Sequence, residues 1–379
     1  MNTKKVLLTG GRAPSTLELA RLFFMNGYSV HIADSFPYAL AKKSTAVEKF
    51  HLTRKPKQES EKFIEDLIKI IVDEQIDLLV PTCEEIFYIA RFQDEIRKYC
   101  EVFVDTFEKM ITLHHKFDFI KLAESFGMQV PGTTLITSLE EWKKETQGNK
   151  RSLIAKPVFS RFSSTVHRLP EERDLQIDVS EKKHWVLQEF IEGSHYCSYS
   201  VANRGKLLAH TTYKSEIRAG DGASIYFQHY EHEKIAEWVE VFVREMEFHG
   251  QIAFDFIQDE KGEVFAIECN PRLTSGVHLF RNTNLPAVFF ENKSVRPNSD
   301  HPVSLKAALV LYGYQNIKLA GVKRFFQAFG RSRDVVFNTK DIGPFLYQWY
   351  SYLKIWELSR RNQISLLEAT TYDISWDGD

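Results

Sequence analysis

Short apolar runs alternate with helix-spaced apolar positions through the first hundred residues. Val6 to Thr9, Tyr28 to Ala33, Ile76 to Val80 and Val102 to Val104 have strand length. Leu17 to Met25 and Phe63 to Val72 are apolar at helical spacing, and Asn26-Gly27 stops the first of them. Strand followed by helix, repeated, predicts a parallel, doubly wound sheet. Further along, the periodicity changes. Ser152 to Lys156, Trp185 to Phe190, Cys197 to Val201 and Leu207 to Thr212 read as strands, the last two paired across Asn203-Arg204-Gly205. Lys116 to Phe126 is a predicted helix. Ile235, Trp238, Val239, Phe242, Val243 and Met246 form the core face of another. Phe254 to Ile257 and Glu263 to Ile267 read as a hairpin around the turn Gln258 to Gly262.

After about residue 300 the chain becomes rich in aromatic residues, among them Phe325, Phe326, Phe329, Phe337, Phe345, Trp349, Tyr350 and Trp356, with mixed helical character. Such a stripe reads as core or subunit interface, so a homodimer is one expectation. The class is α/β, and three units are expected. Residues 1–105 form a Rossmann-like sheet, 106–300 a mixed α+β domain, and 301–379 a helical segment packing on that domain.

Composition narrows the function. The chain has 379 residues, 43% of them hydrophobic and 26% charged, which suits two or three packed domains. A formal net charge of −2 offers no basic field for a nucleic-acid backbone, so no nucleic-acid partner is expected. Cys83, Cys100, Cys197 and Cys269 have no CxxC spacing, and free thiols in a reducing compartment follow. The N-terminal apolar run is too short for a signal peptide, and no run reaches the ~18 residues of a membrane span. A cytoplasmic protein without a membrane span is expected.

Candidate chemistry begins with the hairpin. It places Asp255 near Glu268 and Asn270, two carboxylates and an amide oxygen, with Arg272 beside them. Hard oxygen donors of this kind suit Mg²⁺ carrying nucleotide phosphates, with Mn²⁺ as a substitute. Arg272 adds a fixed cation that can fork onto phosphate oxygens. Lys156 ends an apolar strand, where a charge must face a cleft or find a partner. A dinucleotide site is not supported. Asp34, at the end of the second strand, resembles a ribose-binding acid, but the glycine fingerprint fails: from Gly10, the other two positions hold Arg12 and Ser15.

The order Lys116, Leu153-Ile154-Ala155-Lys156-Pro157, Leu187-Gln188-Glu189-Phe190-Ile191, Asp255, then Glu268-Cys269-Asn270-Pro271-Arg272 resembles the ATP-grasp superfamily, in its carbamoyl-phosphate-synthase-like, carboxylate–amine ligase branch. The first unit resembles the pre-ATP-grasp domain that precedes that fold. The resemblance covers residues from about 105 to 280 well. It implies that Lys116 and Lys156 hold ATP phosphates, and that Gln188, Glu189 and Ile191 form the adenine hinge. It implies His195, or Glu192 in its place, on the ribose, and Arg218 aimed at the γ-phosphate and acceptor. Asp255, Glu268 and Asn270 then bind the metal. Two departures stand out. Gln188 replaces a common Glu, and the loop Phe159 to Ser164 is rich in serine where the family keeps glycine. Thr9 to Ser15 and Pro81 to Glu85, at strand carboxyl ends, are candidate walls of an acceptor pocket.

The implied activity is ligation of a small-molecule carboxylate to an amine or thiol through an acylphosphate, with release of ADP and phosphate. A non-catalytic nucleotide-binding protein and a phosphotransferase on the same fold are the alternatives. No Met-Lys-Met context marks a biotin carrier.

Overall fold

The computed structural model describes residues 3–147, 149, 151–159, 166–169, 177–180, 183–218, 224–298, 301–310 and 322–378. The first sheet contains β1 (Lys5–Thr9), β2 (Ser29–Asp34), β3 (Lys49–Leu52), β4 (Leu78–Val80) and β5 (Glu101–Val102), in the order β3-β2-β1-β4-β5 and parallel throughout. The period-two pleat explains its two covered faces. Val6 and Leu8 join the cluster of α1 (Pro14–Met25), with Leu19 and Phe23. Leu7 joins the opposite cluster with Leu67 and Ile71 of α2 (Ser60–Glu74). Each such side chain, fully buried, stabilises the fold by roughly 1.5–3 kcal/mol.

Two helices follow, α3 (Phe107–His114) and α4 (Lys116–Ser125). Thr106 and His115 cap them by accepting from the Lys109 and Asp118 amides, so each helix starts at a defined residue. Two antiparallel sheets come next. One contains β6 (Thr133–Ile136), β7 (Leu153–Pro157), β8 (His167–Leu169) and β9 (Trp185–Glu189), in the order β6-β9-β7-β8. The other is built from β10 (Ser194–Asn203), β11 (Lys206–Lys214), β13 (Gly250–Gln258) and β14 (Val264–Asn270), in the order β11-β10-β13-β14. Helix α5 (Glu233–Glu245) covers this second sheet. Trp238 stacks on Phe242 with centroids 5.1 Å apart, and both rings meet Phe254.

The hairpin strands are longer than the apolar pattern predicts, because polar Gln251 is buried within β13. Its side chain is satisfied on both sides. It accepts from the Tyr199 hydroxyl at 2.7 Å and donates to the Pro81 carbonyl at 3.1 Å, which ties this sheet to the end of β4.

A small fourth sheet joins β12 (Tyr226–Phe227), β15 (Val303–Ser304) and β16 (Arg333–Asp334). Helix α6 (Gly343–Asn362) follows. Here the structure departs from the expectation of a tail lying on the middle unit, because after residue 340 the chain returns to the first sheet. Asp341 pairs with buried Arg21 of α1 at 2.8 Å. Arg12 lies between Asp34 (2.6 Å) and Asp373 (2.5 Å). Trp376 packs against Phe87, Tyr88 and Phe107. A guanidinium buried at the head of a sheet needs counter-charge, and the tail supplies half of it.

Candidate active site

Lys116 opens α4 and is 3% exposed, with its ammonium 3.7 Å from a Glu268 carboxylate oxygen. Lys156 stands in β7 and is 5% exposed. It donates to the Gln188 amide oxygen at 3.0 Å and to the Ile267 carbonyl at 3.1 Å, bridging the two antiparallel sheets. Burial pulls its pKa down to about 8, and the nearby positive charge of Lys116 adds to this. Glu268 and Asp255 act in the opposite sense. Two buried ammonium groups thus converge on one end of the β13–β14 hairpin.

The hairpin register sets the carboxylates face to face, since Asp255 pairs with Glu268 and Ala253 with Asn270. A register irregularity falls immediately after Asp255. Asp255 is pushed up to about 6 by burial and by the charge of Glu268; Cys197, Arg218 and Lys156 oppose the shift. Cys197 is its cross-strand neighbour in β10 and hydrogen-bonds its carboxyl group. Among the described residues no three His, Cys, Asp or Glu side chains cluster as a metal cage. The donor set is instead two facing carboxylates with the Asn270 amide oxygen. Carboxylates that repel each other in a buried place fit a hard divalent cation, which relieves the repulsion.

Arg272 follows in the loop after β14. It donates to Asn270 Oδ1 at 3.2 Å and lies 3.8 Å from a carboxylate oxygen of Glu84. Arg218 donates to the Ser215 hydroxyl at 2.9 Å, and its charge reaches Asp255, Cys197 and His195. His195 is the second residue of β10 and is lowered to about 4, by burial first and by Arg218 second, so at neutral pH the ring is uncharged.

The hinge candidates occupy the end of β9. Gln188 is buried, and besides receiving from Lys156 it donates to Thr133 Oγ1 at 3.2 Å. Glu189 is exposed, and its backbone N–H donates to the Gly132 carbonyl at 2.8 Å. Ile191 is half-buried and Glu192 exposed. The structure therefore brings Lys116, Lys156, Gln188, Asp255, Glu268, Asn270 and Arg272 together, with Arg218 and His195 adjoining from the Asp255 side. Residues 160–165 of the serine-rich loop and 219–223 of the glycine loop lie outside the described residues.

The sequence offered Glu84 only as part of the candidate pocket wall Pro81 to Glu85, and did not single out Cys197 or Tyr213 for the site. Glu84 reaches the site from the loop after β4, 2% exposed, and its other oxygen accepts from the Trp376 backbone N–H at 3.4 Å. Cys197 and Tyr213 sit behind Asp255; burial drives both above their ordinary range. Strand register alone could have found Cys197, since it lies directly across from Asp255. No sequence signal pointed to the Glu84–Arg272 pair, which joins loops far apart in the chain. Behind that loop, Gly10 has φ +67°, and a Cβ there would meet Cys83 Sγ at 2.7 Å.

The model of the ATP-grasp domain family matches residues 114–276. No curated protein matches the chain in sequence. Solved structures with the same fold include the N5-carboxyaminoimidazole synthetase of Staphylococcus aureus complexed with ADP. It has a TM-score of 0.65 and 12% identity, over 84% of this chain and 87% of that one. The L-amino acid ligase of Bacillus licheniformis has a TM-score of 0.58 and 14% identity, over 74% and 70% of the two chains. The biotin carboxylase domain of the Hydrogenobacter thermophilus 2-oxoglutarate carboxylase, in complex with MgADP, ADP and bicarbonate, has a TM-score of 0.56 and 13% identity, over 74% and 65%. At such identities the likeness is one of fold.

Proposed function

From the premise that this chain carries an ATP-grasp domain, we propose that it is an ATP-dependent carboxylate–amine or carboxylate–thiol ligase that works through an acylphosphate. The observation that carries this reading is the convergence of buried Lys116 and Lys156 on Asp255 and Glu268. A cleft holding two desolvated cations beside facing carboxylates suits a metal-bound polyphosphate, whose charges complete both sets.

In this reading the substrate carboxylate attacks the γ-phosphoryl group of ATP. The bond to the β-phosphate oxygen breaks, and ADP leaves. Lys116 and Lys156 stabilise the charge that moves onto the leaving phosphates. Asp255, Glu268 and Asn270 would hold Mg²⁺, or Mn²⁺ in its place, which when bound neutralises phosphate charge. Arg272 and Arg218 stabilise the transferring group and then the tetrahedral centre formed when the amine attacks the acylphosphate. Phosphate departs with one oxygen of the original carboxylate. Gln188, Glu189 and Ile191 take the adenine edge, and neutral His195 accepts or donates to a ribose hydroxyl.

The domain assignment belongs to the same proposal: 1–105 as a pre-ATP-grasp unit, 106–300 as the grasp, and 301–379 as a C-terminal segment. The acceptor is placed between Arg272, Glu84 and the loops after β1 and β4, at the carboxyl ends of the first sheet. Among the described residues no helix is long and apolar enough to cross a membrane. The four cysteines are free, which supports a reducing, cytoplasmic setting.

The deciding experiment is an ADP-release screen over pools of carboxylates and amines, with mass spectrometry of the products. ADP and phosphate formed together with an amide or thioester support the ligase. ADP formation that is indifferent to any amine or thiol supports a phosphotransferase, and no ADP release with any pool, despite ATP binding, supports a nucleotide-binding protein without catalysis.

A further inference from the structure

Helix α6, Gly343–Asn362, carries large apolar side chains on its outer side as well as on its inner one. The side packed against the protein carries Pro344, Gln348, Ser351, Ile355 and Ser359, all buried, with Ile355 joining Phe36 and Ala369 in a small core. The opposite side carries Leu346, Trp349, Tyr350, Leu353 and Trp356, exposed by 66, 52, 44, 47 and 52%. Their spacing of three and four residues puts them on one face of the 20-residue helix. The inner side already fills the helix's place in the core, so two tryptophans and two leucines on the outer side are surplus to the fold of one chain. Contiguous apolar surface of this kind marks an interaction site.

We propose that this face is a two-fold interface between two copies of the chain, with the α6 helices packed antiparallel. The stripe is nearly symmetric about Ser351. Antiparallel pairing therefore sets Leu346 against the partner's Trp356 and Trp349 against the partner's Leu353. The surface is complementary to itself, as an isologous contact requires. Its size fits as well. Five large side chains, each about half exposed, present on the order of 500–600 Å² per copy when an aromatic ring buries ~150–250 Å². Ile342 and Phe337, 42 and 41% exposed, extend the patch at the start of the helix. Two copies together reach about 1,200 Å², the lower bound of specific stable interfaces. A lipid surface is the less suited occupant. The chain has a net charge of −2, and Lys354, beside the stripe, is paired with Glu357 at 2.8 Å, so the electrostatic pull towards anionic headgroups is weak.

Sedimentation equilibrium of the full-length protein tests this. The expected mass at micromolar concentration is twice the 44.1 kDa of one chain. Leu353→Glu should raise the dimer dissociation constant by about 30-fold or more, the scale for losing a central apolar contact. Its far-UV circular dichroism and melting temperature should match wild type, because the side chain is half exposed. Leu346→Glu and Trp356→Lys should each be monomeric alone and form a one-to-one heterodimer when mixed, because the pairing brings the new charges together. A wild-type protein that stays monomeric at tens of micromolar overturns the proposal, as does a dimer unchanged by Leu353→Glu. Monomeric single variants that fail to associate on mixing overturn the antiparallel arrangement. A monomer that floats with phosphatidylserine vesicles, and loses this on Leu353→Glu, assigns the stripe to a membrane instead.

Discussion

The Lys156 ammonium donates to the Gln188 amide oxygen at 3.0 Å inside the protein, where burial has pulled the lysine down to about 8. A neutral partner solvates the cation without cancelling its charge, which leaves that charge for a phosphate. Lys156→Met keeps most of the apolar stem and removes the charge. A hydrogen bond to a charged group is worth about 1.5–3 kcal/mol, so ATP affinity should fall roughly ten- to a hundredfold. Titration calorimetry on the refolded-checked variant measures this. Unchanged affinity would remove Lys156 from the nucleotide site.

Glu268 faces Asp255 across the hairpin and Lys116 at 3.7 Å. Glu268→Gln has nearly the same shape and lacks the charge. The fold should persist, and turnover should drop by about a hundredfold or more, the scale for one key electrostatic group. Steady-state rates at saturating Mg²⁺ give the answer, and wild-type turnover would sink the assignment.

Glu84 joins Arg272 to the C-terminal tail, with one oxygen 3.8 Å from the guanidinium and the other receiving the Trp376 N–H. Arg272 without this partner should be less well aimed. Glu84→Gln is therefore expected to reduce kcat by about tenfold, within the range seen when a supporting group is lost, while the Kd for ATP stays near wild type. Parallel calorimetry and turnover separate the two. A loss of ATP affinity equal to the loss of rate would contradict a positioning role.

Asp373 tests the closure of the first sheet by the tail. Burial raises its pKa, but the charge and hydrogen bonds of Arg12, with Ser35, outweigh this and hold it below the ordinary value. A group depressed in the folded state stabilises the fold above its unfolded pKa of ~3.9, and that contribution disappears as pH falls through the lower folded value. Removing one partner of a buried pair costs about 3–5 kcal/mol. Asp373→Asn should therefore lower stability at pH 7, and its acid unfolding should depend less steeply on pH below about 4. Denaturant melts followed by circular dichroism at pH 7 and pH 3 check both. Equal destabilisation at the two pH values would mean that packing alone is lost.

How far the sequence revealed this protein follows from the range of each contact. The parallel sheet was legible because Val6, Leu7 and Leu8 form a continuous apolar run, as a strand covered on both faces must. Asp255, Glu268 and Asn270 were legible because one hairpin carries all three. The Glu84–Arg272 and Arg12–Asp373 pairs were not. They join loops far apart in the chain, and no local periodicity encodes such a closure. The destination of the tail was hidden for the same reason. Aromatic content announced a packed segment, but not that Trp376 meets Phe87 in the short helix Ile86–Arg91 that follows β4. Asp34, whose likeness to a ribose-binding acid was discounted by the failed glycine fingerprint, is engaged by the Arg12 backbone N–H at 2.8 Å and by the Arg12 guanidinium.

The central claim is that carboxylate activation proceeds through an acylphosphate. Once the ADP-release screen has found a carboxylate substrate, the same reaction is run with its carboxyl group labelled with ¹⁸O, and the released phosphate is analysed by mass spectrometry. The account predicts one ¹⁸O atom in each phosphate released, because the acyl oxygen leaves with the phosphoryl group. Unlabelled phosphate, or AMP and pyrophosphate in place of ADP and phosphate, would contradict it.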